Sequence, residues 1–249
     1  MLQPPLLITS AVTPSDLSVA LSDKDRRIEY TLDAIGQWLK ICPAMKVVLC
    51  DGSNFDFRPL LDQKFPGNTI ESLRFLNSGD KVRALGKGYG EGEIVQYALA
   101  HSQYLAQADY FAKCTSKLWV NNYKACLRCW NGSMLFQAKV SNVLKNKPLI
   151  FRHIDTRFYL IKKSIYEERF LTVHLEVNDA EDHSLEHCFM DAINQAAYAH
   201  FNFPIPPMIE GYSGSTGDYF LNTRWGYFAE YMKLRVLQRR TNAVSPLNP

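Results

Sequence analysis

Lys46-Val47-Val48-Leu49-Cys50 is a short apolar run, and Asp51-Gly52-Ser53-Asn54 follows it at once. An apolar run of this length closed by turn residues reads as a strand buried on both faces. Its neighbours extend the pattern in both directions. Leu6-Leu7-Ile8-Thr9-Ser10-Ala11-Val12 is a second such run, ending in small polar residues and Pro14. Between the two, Ile28, Leu32, Ile35 and Leu39 recur every three or four residues over 23–41, which is the period of an amphipathic helix, and Pro43 stops it. On the other side, Leu73-Arg74-Phe75-Leu76 reads as a third strand. Residues 90–106 read as a helix, and Ala108-Asp109-Tyr110-Phe111-Ala112-Lys113-Cys114 as a further strand. Strand and helix thus alternate through residues 6–118. Such alternation specifies a mainly parallel central sheet covered by helices, an α/β fold. Ligands of such sheets sit outside the carboxyl ends of the strands. Thr9-Ser10, Asp51-Gly52-Ser53-Asn54 and Lys113-Cys114-Thr115-Ser116-Lys117 are therefore expected along one edge.

The pattern changes after about residue 133. Lys147-Pro148-Leu149-Ile150-Phe151 and Arg157-Phe158-Tyr159-Leu160-Ile161 read as strands, with 171–177 as a third. Residues 182–199 read as a helix with Leu185, Phe189, Ile193 and Ala196 on one stripe, broken by Phe203-Pro204-Ile205-Pro206-Pro207. Residues 211–218 form a small-residue loop, 219–240 a last helix and 241–249 a tail. The expected organisation is one domain with a first half over 1–132, a smaller second half over 133–240 and the tail.

Composition excludes several classes. The chain has 249 residues, 47% of them apolar and 21% charged, so it buries a full core and is not disordered. A net charge of +3 is too small to point to nucleic acid, and no nucleic-acid partner is expected. No run approaches the ~18 apolar residues of a spanning helix. The start, Met1-Leu2-Gln3-Pro4-Pro5, lacks a basic n-region, so a secretory signal is not expected. Cys126 and Cys129 form a lone C-x-x-C pair with no second pair to complete a zinc site. The thiols read as reduced and the compartment as cytoplasmic.

Six clusters are candidates to carry chemistry or contacts. Lys87-Gly88-Tyr89-Gly90-Glu91-Gly92-Glu93 stands before a helix, where glycines let backbone N–H groups approach an anion and Lys87 adds charge. It matches neither phosphate-loop pattern, and it also reads as a glycine turn capped by Glu91 and Glu93. Lys113 and Lys117 flank the hydroxyls of Thr115 and Ser116 at a strand end, as a metal-free diphosphate clamp or as a solvated edge. Glu186 stands near a helix start after Asp179, Glu181 and Asp182, placed to act as a general base, with His187 to orient a phosphate or an acceptor. Ordinary helix capping by Asp182 or Ser184 explains the same residues. In Asp155-Thr156-Arg157 the second position of an Asp-x-Asp pair is an arginine, which cannot ligate Mg²⁺. Ser213 and Ser215 sit in a hydroxyl-rich loop that can close over a ligand. Lys233, Arg235, Arg239 and Arg240 form a basic segment that can rest on an anionic membrane surface or simply be solvated.

Taken together, Leu7-Ile8-Thr9-Ser10-Ala11, Val48 to Asn54, Lys87 to Glu91 and Phe111 to Lys117, with Leu185-Glu186-His187 and Gly211 to Ser215, resemble the small bacterial GT-A-type glycosyltransferases of surface-polysaccharide (capsule or lipopolysaccharide) synthesis. The resemblance covers residues 5–220. It implies a single GT-A-like Rossmann-type domain with a donor half and an acceptor half. It also implies sugar transfer from a nucleotide-activated donor to a hydroxyl of a glycan or lipid-linked glycan. Thr9, Ser10 and Asp51 are expected at the nucleoside, Lys87, Gly88 and Gly90 on the donor side, and Lys113, Thr115 and Lys117 at the diphosphate. Glu186 takes the place of the base of inverting members, with Glu91 and Asp155 as competitors, and Arg157, His187, Ser213 and Ser215 contact acceptor or phosphate. Where the family carries its metal-binding Asp-x-Asp, this chain has lysines. The expectation is therefore a metal-independent, cofactor-free, inverting enzyme at the inner face of a membrane. A non-catalytic glycan-binding subunit and another nucleotide-dependent transferase are the alternatives.

Overall fold

The computed structural model describes residues 3–16 and 19–246. In chain order the elements are β1 (Leu6–Ser10), α1 (Lys24–Ile41), β2 (Val47–Asp51), α2 (Arg58–Lys64), β3 (Ile70–Arg74), α3 (Gly79–Leu85), α4 (Lys87–His101), α5 (Gln103–Ala106) and β4 (Tyr110–Thr115). They continue as β5 (Leu118–Val120), α6 (Tyr123–Arg128), β6 (Met134–Ser141), β7 (Ile150–Lys162), α7 (Lys163–Arg169), α8 (Leu185–Gln195), β8 (Ile209–Tyr212), β9 (Tyr219–Phe220) and α9 (Arg224–Arg240). The fold is α/β, with the central sheet in the order β3-β2-β1-β4-β7-β6. Its first four strands are parallel; β7 runs antiparallel to β4, and β6 to β7. A second sheet, β5-β8-β9, is antiparallel.

The apolar runs are continuous because each strand feeds two cores. Leu6, Ile8, Val47 and Leu49 pack with Leu32, Ile35 and Trp38 of α1, whereas Leu7, Val48 and Cys50 pack with Ile94, Val95 and Ala98 of α4. Alternate residues of a strand point to opposite faces, and a parallel sheet covered on both sides needs apolar residues at every position. Register then aligns the strand ends: Thr9 lies opposite Cys50 and Thr115, and Ser10 opposite Asp51. The polar terminations share one edge, as the alternation requires.

Several expected elements are reorganised. The helix over 90–106 begins at Lys87 and is divided at Ser102, whose hydroxyl accepts from Leu105 N at 3.1 Å and starts α5. The strands expected at 147–151 and 157–161 are one 13-residue strand, β7. Residues 171–177 are not a strand: Val173–Glu176 is a 3-10 turn that presses the buried His174 against Tyr89 of α4. The helix over 182–199 is shorter, Leu185–Gln195, and the one over 219–240 starts only at Arg224, after β9. Residues 241–246 are no free tail. Asn202 N donates to Ala243 O (2.8 Å) and Ser245 N to Asn202 O (3.0 Å), and Val244 packs on Leu234 and Leu237. The rest of the expected tail, 247–249, and Met1 and Leu2 of the chain start lie outside the described residues. Among the described residues no helix is long and apolar enough to cross a membrane.

Candidate active site

A cavity of about 330 Å³ opens at the carboxyl edge of β1 and β4. Its walls are the exits of β1 and β4, α4, the 213–215 loop, the middle of β7 and the start of α8. Thr9, Ser10, Lys87, Gly90, Glu91, Thr115, Lys117, Arg157, Glu186, Ser213 and Ser215, all singled out by sequence, line it. Asp51, Gly88, Lys113, Asp155 and His187 do not.

One wall is cationic. Lys117 follows β4 in the left-handed region, with φ of 69°, a backbone state that a non-glycine residue adopts only at a cost. Its side chain is buried, and Nζ donates to Ser116 Oγ at 2.7 Å. Burial, with the repulsion of Arg27 added, pulls its pKa down to about 7. Arg27 reaches the same place from the second turn of α1. Its Nε donates to Ala11 O (2.8 Å) and Nη1 to Leu21 O (2.7 Å). Burial lowers the guanidinium pKa, and Asp51 opposes that shift. The two cations meet at Gly214: a Cβ there would stand 3.1 Å from Lys117 Cε and 3.4 Å from Arg27 Nη1. Lys87 Nζ donates to Ser215 Oγ at 2.8 Å and ties the serine loop to the start of α4. Two desolvated cations side by side, neither in an ion pair among the described residues, make a place for an anion. On this wall Thr9 Oγ1 is buried without a hydrogen-bond partner.

Lys113 has a different role from the one its sequence position implies. It lies within β4, fully buried, and its ammonium is ion-paired with Glu91 and donates to Thr115 Oγ1 (3.0 Å) and Thr156 O (2.9 Å). All three of its protons are engaged, so it ties β4 to α4 and β7. Asp51 likewise works behind the cavity. Its carboxylate accepts from Val12 N (3.0 Å), Ser53 N (2.8 Å) and Phe55 N (3.1 Å), and so fixes the exits of β1 and β2.

The three candidate carboxylates are separated by their partners. Glu91 is paired with Lys113, and Asp155 is buried beneath the Arg157 guanidinium, which holds its carboxyl below the usual range against the opposing effect of burial. Glu186, in the first turn of α8, accepts a hydrogen bond from Thr156 Oγ1 at 3.0 Å and, among the described residues, is in no ion pair, although the Arg157 guanidinium feels its charge. It lines the cavity, as does Asp16. His187 closes the α8 capping box through Nδ1, 3.3 Å from Ser184 N, and its ring faces His153 rather than the cavity.

The glycine run is part of α4 and not a loop. Gly88 abuts Leu185, Gly90 abuts Asn77 and Gly92 abuts His174, so each lets a neighbour approach where a Cβ would overlap it. Gly88 lines an adjoining recess with Asp179, Asp182 and Glu186. Sequence reading missed Arg27, Asn77, Thr156 and Phe220 as lining residues. Arg27 left a signal: with Thr31, Ala34 and Trp38 it holds the buried stripe of α1, where a charge is anomalous. Nothing in the sequence around Thr156 distinguishes it.

Of the basic C-terminal residues, Arg240 donates to the carbonyls of Asn142, Val143, Lys145 and Lys147. Lys233 pairs with Glu230, and Arg235 bonds Gln238 at 3.0 Å. Among the described residues, no group of three or more His, Cys, Asp or Glu side chains is arranged to hold a metal ion.

No family model matches the chain, and no curated protein matches it. In fold it is similar to solved glycosyltransferases and to a CTP transferase. The apo structure of the bifunctional glycosyltransferase WbbM aligns over 99% of this chain at 11% identity and a TM-score of 0.47; the chain spans 46% of WbbM, less than half its length. The galactosyltransferase LgtC, solved with donor and acceptor sugar analogs, aligns over 76% of this chain and 70% of its own, at 9% identity and a TM-score of 0.45. An inositol-1-phosphate CTP transferase from T. maritima aligns over 78% and 82%, at 13% identity and a TM-score of 0.42.

Proposed function

We propose that this chain is a glycosyltransferase that moves a sugar from a nucleotide-activated donor to a hydroxyl of a glycan or lipid-linked acceptor, with inversion and without a metal. The observation that carries the reading is that one cavity is lined by two desolvated cations, Lys117 and Arg27, and by a carboxylate, Glu186, that is in no ion pair among the described residues. Departure of a nucleoside diphosphate builds negative charge on the leaving oxygen. Fixed cations in a dry site stabilise that charge without reorganisation, which is the task a metal performs elsewhere. Glu186 takes the proton of the acceptor hydroxyl as that oxygen bonds to the anomeric carbon, while the bond from that carbon to the diphosphate oxygen breaks on the opposite side. Thr156 holds Glu186 in place, and Lys113 holds Thr156 through its carbonyl. Thr9 and Ser10, at the β1 exit, face the nucleoside end, and Ser213 and Ser215 close over the phosphates.

The test is Glu186→Gln, an isosteric change that removes the base and leaves the cationic wall intact. Donor binding, read by thermal shift, is expected to persist while transfer and donor hydrolysis fall by about 10²–10⁴-fold. Full activity in that variant refutes the base assignment. Release of pyrophosphate from a nucleoside triphosphate, in place of diphosphate from a nucleotide sugar, would identify nucleotidyl transfer instead.

A further inference from the structure

The small sheet β5-β8-β9 has two unlike faces. Side chains alternate along its strands, and the register pairs Leu118 with Gly211, Gly211 with Phe220, and Tyr212 with Tyr219. Leu118 and Phe220 therefore share one face, and both line the cavity described above. Trp119, Tyr212 and Tyr219 share the other face, which lines a separate groove of about 620 Å³. Helix α1 forms the opposite wall of that groove. Its buried stripe carries Leu32, Ile35 and Trp38, and beside the stripe Tyr30, Asp33, Gln37 and Lys40 follow at steps of three and four. Tyr30 stacks on Tyr212 with centroids 3.8 Å apart and planes 7° apart, and Tyr219 meets Tyr212 edge-on at 4.8 Å. Phe65 adds a fifth ring to the lining.

The composition of the groove selects its ligand. The rings are open to solvent in part, Tyr219 most of all at 46%. Rings left open in a recess gain when a flat, partly apolar ligand rests on them. Among them, Asp33, Gln37 and Lys40 supply hydrogen-bond acceptors and donors. The charge is nearly balanced: Lys64 Nζ lies 2.8 Å from the Asp33 carboxylate, which leaves Lys40 as the remaining charged residue of the lining. A polyanion needs a run of cations, which this lining lacks. An apolar peptide would bury the polar groups without partners. A pyranose ring meets both demands, with a C–H face for the aromatic rings and edge hydroxyls for the carboxylate, amide and ammonium.

We propose that this groove is a second, non-catalytic site that holds a short stretch of uncharged glycan chain, its sugar rings resting on Trp119, Tyr219 and the Tyr30–Tyr212 stack and its hydroxyls bonded by Asp33, Gln37 and Lys40. The site is coupled to the cavity through one strand end, since Tyr212 lines the groove and the next residue, Ser213, lines the cavity. Tyr30 likewise lies one turn along α1 from Arg27 of the cationic wall. Glycan binding stands on the groove itself; that the bound chain is the acceptor or product of this protein rests on the transferase reading.

The test is saturation-transfer NMR of the full chain with neutral tetrasaccharides of glucose, galactose, mannose and N-acetylglucosamine, and with a heparin tetrasaccharide as the anionic control. At least one neutral tetrasaccharide is expected to bind. In Tyr219→Ser/Gln37→Ala its affinity is expected to fall at least about tenfold, from the loss of one ring and one amide, while the thermal shift with a nucleoside diphosphate stays as in wild type. Gln37→Ala/Lys40→Ala, which leaves every ring in place, is expected to weaken binding as well, so the outcome does not hang on how well the Tyr219 variant folds. A chain that binds none of the neutral tetrasaccharides, or only the heparin fragment, overturns the proposal. So does binding that both variants retain in full, since the sugar would then sit in the cavity or elsewhere. No donor is present in this assay, so its failure leaves the transferase reading standing, and loss of that reading leaves glycan binding in the groove standing.

Discussion

Lys117→Met separates binding from stability. The Lys117 ammonium is buried and faces Arg27, and its pKa falls from 10.5 to about 7. That drop corresponds to about 5 kcal/mol of cost to the folded state near neutral pH. The sign follows from linkage. Between pH 7 and 10.5 the unfolded chain holds a proton on this lysine that the folded chain lacks, so the cost is full below about pH 7 and shrinks as pH rises toward 10.5. Methionine keeps the apolar stem and removes the charge, at the loss of one hydrogen bond to Ser116 Oγ, worth about 1 kcal/mol. A gain of about 4 kcal/mol raises the melting temperature of a chain this size by about 8–16 °C. The same variant loses the cation that meets the diphosphate, so its thermal shift with a nucleoside diphosphate is expected to disappear. In the wild type, an anion bound beside Lys117 favours the charged form, so affinity falls by up to about tenfold per pH unit above 7. Thermal denaturation at pH 7 and 9, with and without nucleoside diphosphate, reads all of this. A Lys117→Met variant that melts lower than wild type at pH 7, or that keeps its diphosphate shift, refutes the reasoning.

Two further outcomes test the supporting structure. Gly92→Ala is expected to destabilise the fold by about 1–3 kcal/mol, seen in urea denaturation, because its Cβ would overlap the buried His174. Arg240→Ala removes the guanidinium that gathers four carbonyls of the 142–147 segment. It is expected to cost about 1 kcal/mol and to speed proteolysis there while donor binding is unchanged.

What could be read from the chain follows from the physics of its elements. The parallel strands were legible because burial on both faces forces continuous apolar runs, and their polar ends then mark one edge. β7 was harder: Asp155, Thr156 and Arg157 interrupt its apolar pattern, because Asp155 and Arg157 satisfy each other and Thr156 serves Lys113 and Glu186. The two lysines of the β4 exit look equivalent in sequence and are not. Lys113 is held in register between Leu7 and Tyr159 and points into the packing under α4, whereas Lys117 lies past the last paired residue, in a left-handed turn that faces the cavity. Three residues of chain thus separate a structural cation from a candidate ligand contact. Arg27 was overlooked because the periodicity that revealed α1 was counted on apolar residues. Its place on the buried stripe was visible, but its partners Ala11 and Leu21 are contacts of the folded chain. The glycine run suggested a loop because three glycines disfavour a helix; close contacts with Leu185, Asn77 and His174 outweigh that preference.

The most direct test of the central claim is calorimetric titration of the full chain with nucleoside diphosphates in EDTA at pH 7, repeated with Arg27→Met. Binding in EDTA that weakens at least about tenfold in the variant is the predicted result, since both desolvated cations are taken to hold the diphosphate. Binding that requires added Mg²⁺ or Mn²⁺, or that is indifferent to Arg27, would contradict it.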